Sequence, residues 1–150
     1  MSDVREGGCR CGRVRFKVTA PPMLTMACHC VGCQRMTGGP YSVSEMFPGG
    51  AFEVTAGEPV IGGLHGEIEH YHCGWCMSWV FTRPPTPMPM VNVRATMMDD
   101  AAGFEPFVEI CAAEMLPWAK IPTAVRSYPA FPPNEDWPGL ISEYMQRTAG

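Results

Sequence analysis

Seven of the eight cysteines stand in three short groups. Cys9-Arg10-Cys11 is a C-x-C, Cys28-His29-Cys30-Val31-Gly32-Cys33 a C-x-C-x-x-C, and Cys73-Gly74-Trp75-Cys76 a C-x-x-C. Two thiolates two or three residues apart can reach one ion at a Zn–S distance near ~2.3 Å. A structural zinc site takes four such ligands in a tetrahedron. Cys9 and Cys11 with Cys73 and Cys76 supply that set and would clamp the N-terminal strand to the middle of the chain. The C-x-C pair is expected on a strand, where residues i and i+2 share a face. Cys28, Cys30 and Cys33 are left as a compact triplet. Three protein ligands leave a fourth position open, as catalytic zinc sites do.

Other chemistry is open to cysteines. A lone C-x-x-C can be a redox dithiol, but here Met77-Ser78-Trp79 follows, with no βαβ pattern around it. Disulfides need an oxidising compartment, and an iron–sulfur cluster uses the same ligands. Zinc is the reading the spacing favours. Cys111 reads as a small buried hydrophobe rather than a fourth ligand for the triplet. His29 reads as a supporting or solvent-facing residue, and His65, His70 and His72 show no ligand spacing. Trp75 reads as a cover for the knuckle, and the methionines as core filler.

The elements that must carry these groups are short. Val14, Phe16 and Val18 alternate with Arg13, Arg15 and Lys17, a half-buried strand pattern that Pro21-Pro22 ends. Further strands are expected over residues 24–28, 41–47, 52–55, 68–72, 79–81, 91–96 and 107–111. Pro84, Pro85, Pro87 and Pro89 exclude a central strand or helix and predict an extended surface loop. Leu140, Ile141, Tyr144 and Met145 share a helical face, with Pro138 at an early helix position. A single turn can follow Cys33. The fold class expected is mostly β, one domain over residues 1–150, with a short C-terminal helix.

Composition agrees. Gly and Pro number 16 each, which calls for many turns, and apolar residues make up 46%, enough for a core. Charged residues are 17%, under the usual ~25%, so the core is expected to lean on something besides apolar burial. The formal charge is −4, and thiolate ligands make it more negative. A field of that sign disfavours phosphate backbones and anionic membrane surfaces, so neither nucleic acid nor membrane is an expected partner. No N-terminal apolar segment and no run of 18 apolar residues is seen, and a reducing cytoplasm is the expected setting. An exposed edge in an all-β domain leaves a homodimer open.

The order GGCRCGRVRF, CHCVGCQRMTGG, YHCGWC, followed by PFVEICAAEMLPWAKI with its Pro117-Trp118 pair, resembles the glutathione-dependent formaldehyde-activating family, a group that includes centromere protein V. The resemblance covers about residues 7–120, with 121–150 as a C-terminal extension. It implies small antiparallel sheets leaning together as a β-tent, and two zincs. The structural one would take Cys9, Cys11, Cys73 and Cys76, and the second Cys28, Cys30 and Cys33. Two positions depart from the family pattern: Met77 stands where glycine is usual, and Gln34, followed by Arg35, where arginine often follows the triplet.

These features point to a carbon–sulfur lyase-type enzyme acting on a thiol adduct, such as reversible S-hydroxymethylglutathione formation from glutathione and formaldehyde. An open zinc position holds a thiol as its thiolate. Three thiolate ligands leave zinc a weak Lewis acid, which favours thiol positioning over water activation and implies a loosely held, partly occupied second zinc. Glutathione carries two carboxylates, and Arg35 is the cation nearest the triplet in sequence. No general acid or base stands out: His29, Tyr41 and Glu45 are only sequence neighbours. A non-catalytic zinc module and a thiol- or redox-responsive zinc protein are the rival readings.

Overall fold

A computed structural model describes residues 4–62, 64 and 66–149; His65 lies outside them. Along the chain run β1 (Arg5–Gly8), β2 (Arg15–Val18), β3 (Leu24–Cys28), α1 (Val31–Thr37), β4 (Ser42–Pro48), β5 (Phe52–Ala56) and β6 (Val60–Gly62). Then follow β7 (Glu69–His72), β8 (Trp79–Arg83), β9 (Met90–Arg94), β10 (Val108–Ile110), β11 (Arg126–Ser127) and α2 (Trp137–Thr148). The protein is thus mostly β, with short strands and a C-terminal helix, as the alternation and turn signals predict. The chain forms two compact units, residues 1–22 with 45–104, and residues 23–44 with 105–150.

In the first unit, β1, β2 and β5 form an antiparallel sheet, and β9, β8, β7 and β6 form a second antiparallel series. Alternate residues turn inward, so Phe16 and Val18 meet Phe47, Phe52, Val80, Phe81, Val91 and Val93 in one apolar cluster. The rings pack closely: Phe52 lies 4.6 Å from Phe81, and Tyr71 stacks on Phe81 at 4.5 Å. Cys9 and Cys73 are members of that cluster, so two of the sulfurs rest directly on the core. Gly7 is required by close approach. A Cβ there would sit 2.3 Å from the Met97 carbonyl oxygen and 2.5 Å from the Phe16 ring. The proline-rich stretch between β8 and β9 carries no strand, and residues 85–89 are exposed.

The second unit differs from the antiparallel expectation. Its β3, β10 and β11 are parallel, with Ile110 opposite Cys28. Parallel pairing needs long connections, and here they place the end of β10 beside the triplet rather than at a hairpin. All five residues of β3 are buried, so the run carries no alternation. In α2, Leu140 is buried and the Tyr144 ring meets Phe107 edge-on at 5.6 Å, while Met145 faces solvent. No helix among the described residues is long and apolar enough to cross a membrane.

Candidate metal centres

In the first unit, the Sγ atoms of Cys9, Cys11, Cys73 and Cys76 all lie within 4.8 Å of one another. Cys9 to Cys11 is 3.6 Å and Cys11 to Cys73 is 3.7 Å. A tetrahedron with metal–sulfur bonds near ~2.3 Å has edges of ~3.8 Å, so these spacings fit a metal at the centre. The C-x-C pair does not sit on a strand, as its spacing suggested. It occupies a tight turn in which Gly12, at φ 81°, donates its N–H to the Cys9 carbonyl at 3.1 Å. That turn brings both thiols to one side, and the Val14 N–H donates to Cys9 Sγ at 3.3 Å. The knuckle on the other side repeats the device: the N–H groups of Trp75 and Cys76 donate to Cys73 Sγ at 3.4 and 3.5 Å.

The electrostatics suit cation binding. Cys76 is held down at about 5, first by the Ser78 hydroxyl 3.2 Å away. Cys11 is pushed up to about 11: the Arg13 backbone favours its thiolate, but loss of water and the neighbouring Cys9, Cys76 and Cys73 outweigh it. Packed thiols thus share protons unevenly until a cation neutralises them. Trp75 does not seal the site. It stands 69% exposed, with the Arg13 guanidinium 4.2 Å above its ring, beside a groove of about 280 Å³ that Glu58 and Gly57 also line.

In the second unit, Cys28, Cys30 and Cys33 bring their Sγ atoms within 4.8 Å of one another. Cys28 ends β3, Cys30 caps α1 by accepting the Cys33 N–H at 3.3 Å, and Cys33 lies in the first turn. The helix starts at Val31, ahead of Cys33, because this cap satisfies its N-terminus. Gly38, at φ 64°, ends it. The triplet is short of charge compensation: contact with Cys33 and then burial push Cys28 up, and burial pushes Cys30 up.

The residues around the triplet fall into place unevenly. His29 is fully buried, not solvent-facing, with Nε2 3.0 Å from Glu109 and its ring edge-on to Tyr41 at 5.2 Å. Sequence reasoning did not single out Glu109; a charged residue inside an apolar strand was the available signal. Glu45 belongs to the other unit and is engaged by Arg5 at 2.6 and 3.1 Å. Arg35 is exposed in the last turn of α1 and makes no ion pair among the described residues. Gln34 donates from Nε2 to the carbonyls of His29 (2.8 Å) and Glu114 (3.0 Å). Cys111 does not continue the strand. It leaves β10 in the left-handed region, buried, with its thiol interacting with that of Cys28.

Both clusters could hold metal ions, and their all-sulfur donor sets suit zinc. A Halomonas elongata protein named for glutathione-dependent formaldehyde activation is 34% identical over 102 residues, which cover 63% of this chain and 65% of that one. The chain thus spans a little under two thirds of that relative's length. A crystal structure of a Rhodobacter sphaeroides protein shares the fold, at TM-score 0.52 and 17% identity, over 67% of this chain and 91% of that one. The family model for the glutathione-dependent formaldehyde-activating enzyme matches residues 4–114, and this chain belongs to that family.

Proposed function

We propose that this protein is a zinc-dependent enzyme of carbon–sulfur chemistry, with glutathione and formaldehyde joining reversibly as S-hydroxymethylglutathione. The observation that carries the reading is the contrast between the two clusters: four gathered thiols in one, and three in the other, one short of a tetrahedral set. Cys9, Cys11, Cys73 and Cys76 would hold a structural zinc. Cys28, Cys30 and Cys33 would hold the second, whose chemistry is to keep a bound thiol ionised at neutral pH. In the forward direction the glutathione sulfur forms a bond to the formaldehyde carbon. The carbonyl π pair moves to oxygen, which takes a proton.

The chain's own part is positioning. Cys30 and Cys33 are fixed by the cap of α1, and Cys28 by β3, so the three sulfurs are set before substrate arrives. Gln34 locks the loop between them. Holding two reactants together can supply several kcal/mol of barrier reduction, up to ~7–11 in the best oriented cases. Arg35 offers an exposed guanidinium, without an ion pair among the described residues, for a glutathione carboxylate. The test is adduct formation followed by NMR exchange in a glutathione–formaldehyde mixture. Zinc-loaded protein is expected to accelerate exchange over the protein-free mixture, and Cys33→Ala to lose that acceleration. Equal rates with and without loaded protein would remove the enzyme reading and leave a non-catalytic zinc module.

A further inference from the structure

Cys111 is the one cysteine that the three spaced groups leave over, and its surroundings tie it to the triplet. Strand β10 lies parallel to β3 with Ile110 opposite Cys28, and the His29 N–H donates to the Ile110 carbonyl at 3.0 Å. The chain therefore leaves β10 at the level of the triplet loop. At that point Cys111 turns into the left-handed region at φ 56°, ψ 37°, which non-glycine residues rarely adopt. Its N–H donates to Ala130 at 3.2 Å, and its carbonyl accepts the Glu114 N–H at 3.0 Å. The turn so formed is joined to the triplet twice. Gln34 bridges the His29 and Glu114 carbonyls, and the Glu114 carboxylate accepts the Val31 N–H at 3.2 Å.

Cys111 is 4% exposed, and its thiol interacts with that of Cys28 while feeling Cys30 and Cys33. Yet it is not among the sulfurs that lie within 4.8 Å of one another, whereas all four members of the other cluster are. It is adjacent to the site without being built into it.

Resting on the two-zinc reading above, we propose that Cys111 is a displaceable fourth thiolate of the triplet site. It closes the coordination at rest and yields its place to the incoming substrate thiol. Of the four sulfurs, Cys111 alone lies outside the tight group, so it is the one released. The exchange balances: the incoming thiol gives up its proton, the Cys111 sulfur takes one, and the number of coordinated thiolates stays at four. No oxidant is needed. The device keeps the metal from being lost or hydrolysed between turnovers, and it makes thiol binding a competition with an internal sulfur.

The test replaces zinc with ¹¹³Cd, a stand-in whose chemical shift counts sulfur ligands, in the full chain. Two resonances in the four-thiolate region are expected from the parent protein. Cys111→Ser is expected to move one of them upfield into the three-thiolate region and leave the other in place. Added glutathione or 2-mercaptoethanol should then bring it back. A parent protein that already shows a three-thiolate resonance, unmoved by Cys111→Ser, overturns the proposal while the two-metal reading stands. That first spectrum needs no variant, so poor folding of Cys111→Ser cannot shelter the idea. A Cys111→Ser resonance that thiol fails to restore makes Cys111 a fixed ligand and overturns displacement. A parent with a single resonance overturns this proposal and the two-zinc reading together.

Discussion

The fully buried imidazole of His29 places Nε2 3.0 Å from Oε2 of Glu109, across 80 residues of sequence. His29 lies between Cys28 and Cys30, and Glu109 lies two residues before Cys111. The pair therefore fixes β10 against the triplet loop. Glu109→Gln keeps an acceptor for the ring N–H and is expected to be mild. Glu109→Leu strands a buried donor and should cost about 1–3 kcal/mol. Urea unfolding of the metal-saturated proteins checks this; equal midpoints for the two variants would mean that the hydrogen bond contributes nothing.

Met77 explains one departure from the family pattern. It stands at φ 60° directly after the knuckle, with its N–H donating to the Cys73 carbonyl at 2.9 Å. A side chain in the left-handed region costs about 1–2 kcal/mol, and glycine avoids that cost. Part of the gain is offset by the greater freedom of glycine in the unfolded chain. Met77→Gly is expected to raise the thermal midpoint by an amount worth up to about 1 kcal/mol, with the zinc content unchanged. A lowered midpoint would show that the exposed Met77 side chain does more than tolerate its backbone.

The two clusters should part company as pH falls. Ligand thiols must be ionised, so metal binding releases protons and weakens as they return. Cys28 and Cys30 are raised above the ordinary thiol value, by contact with Cys33 and by burial respectively. In the other cluster Cys76 sits at about 5, with Cys11 alone pushed up to about 11. Groups with raised values regain protons first on acidification. Zinc should therefore leave the triplet at a higher pH than it leaves the four-cysteine cluster. A chromophoric chelator followed from neutral pH downward should report two steps, with Cys33→Ala losing the first. A single step in the parent, with both ions leaving together, would contradict the assignment.

Arg35 is expected to serve binding rather than folding. It is exposed at the end of α1 and has no partner to lose among the described residues. Arg35→Ala should leave the thermal midpoint within about 0.5 kcal/mol of the parent, while weakening glutathione binding by roughly one exposed charge pair, ~0.2–1 kcal/mol. Titration calorimetry with glutathione and with 2-mercaptoethanol separates the effects, since only the former has carboxylates. Equal glutathione affinity in parent and variant would remove Arg35 from the site.

Spacing made the two cysteine clusters legible because ligand geometry is local: residues two or three apart must reach one ion, whatever the fold. The strands carrying Phe16 and Phe52 were legible from alternation, since one face of each is buried. What escaped was non-local. β1 holds two glycines and no apolar pattern, and β6 and β11 are short and largely exposed, so none has a periodicity to read. Cys111 looked like one more apolar residue in its strand. Its nearness to Cys28 follows from parallel pairing of β10 with β3, Ile110 opposite Cys28, which no local pattern encodes. The same holds for Gln34, whose two carbonyl partners come from both ends of that separation.

The clusters also differ in what they tie together. Cys11 and Cys73 are separated by 62 residues, and Cys9 and Cys73 rest on the apolar core. An ion shared there closes a long loop and fixes both ends against Phe16, Val80 and their neighbours. Structural zinc binding can supply on the order of 10 kcal/mol of folding free energy, against a total of ~5–15 kcal/mol for a typical domain. Cys76→Ala leaves three thiols around that position and is expected to give unfolded or aggregated protein. The triplet lies within six residues, and β3 and α1 already hold them by backbone hydrogen bonds. Cys33→Ala should keep a cooperative thermal transition, lower the zinc content by about one ion per chain, and abolish thiol chemistry. Thermal unfolding and metal content of both variants beside the parent decide the matter. If Cys33→Ala unfolds the protein as badly as Cys76→Ala, the second site is structural, and the enzyme reading fails with it.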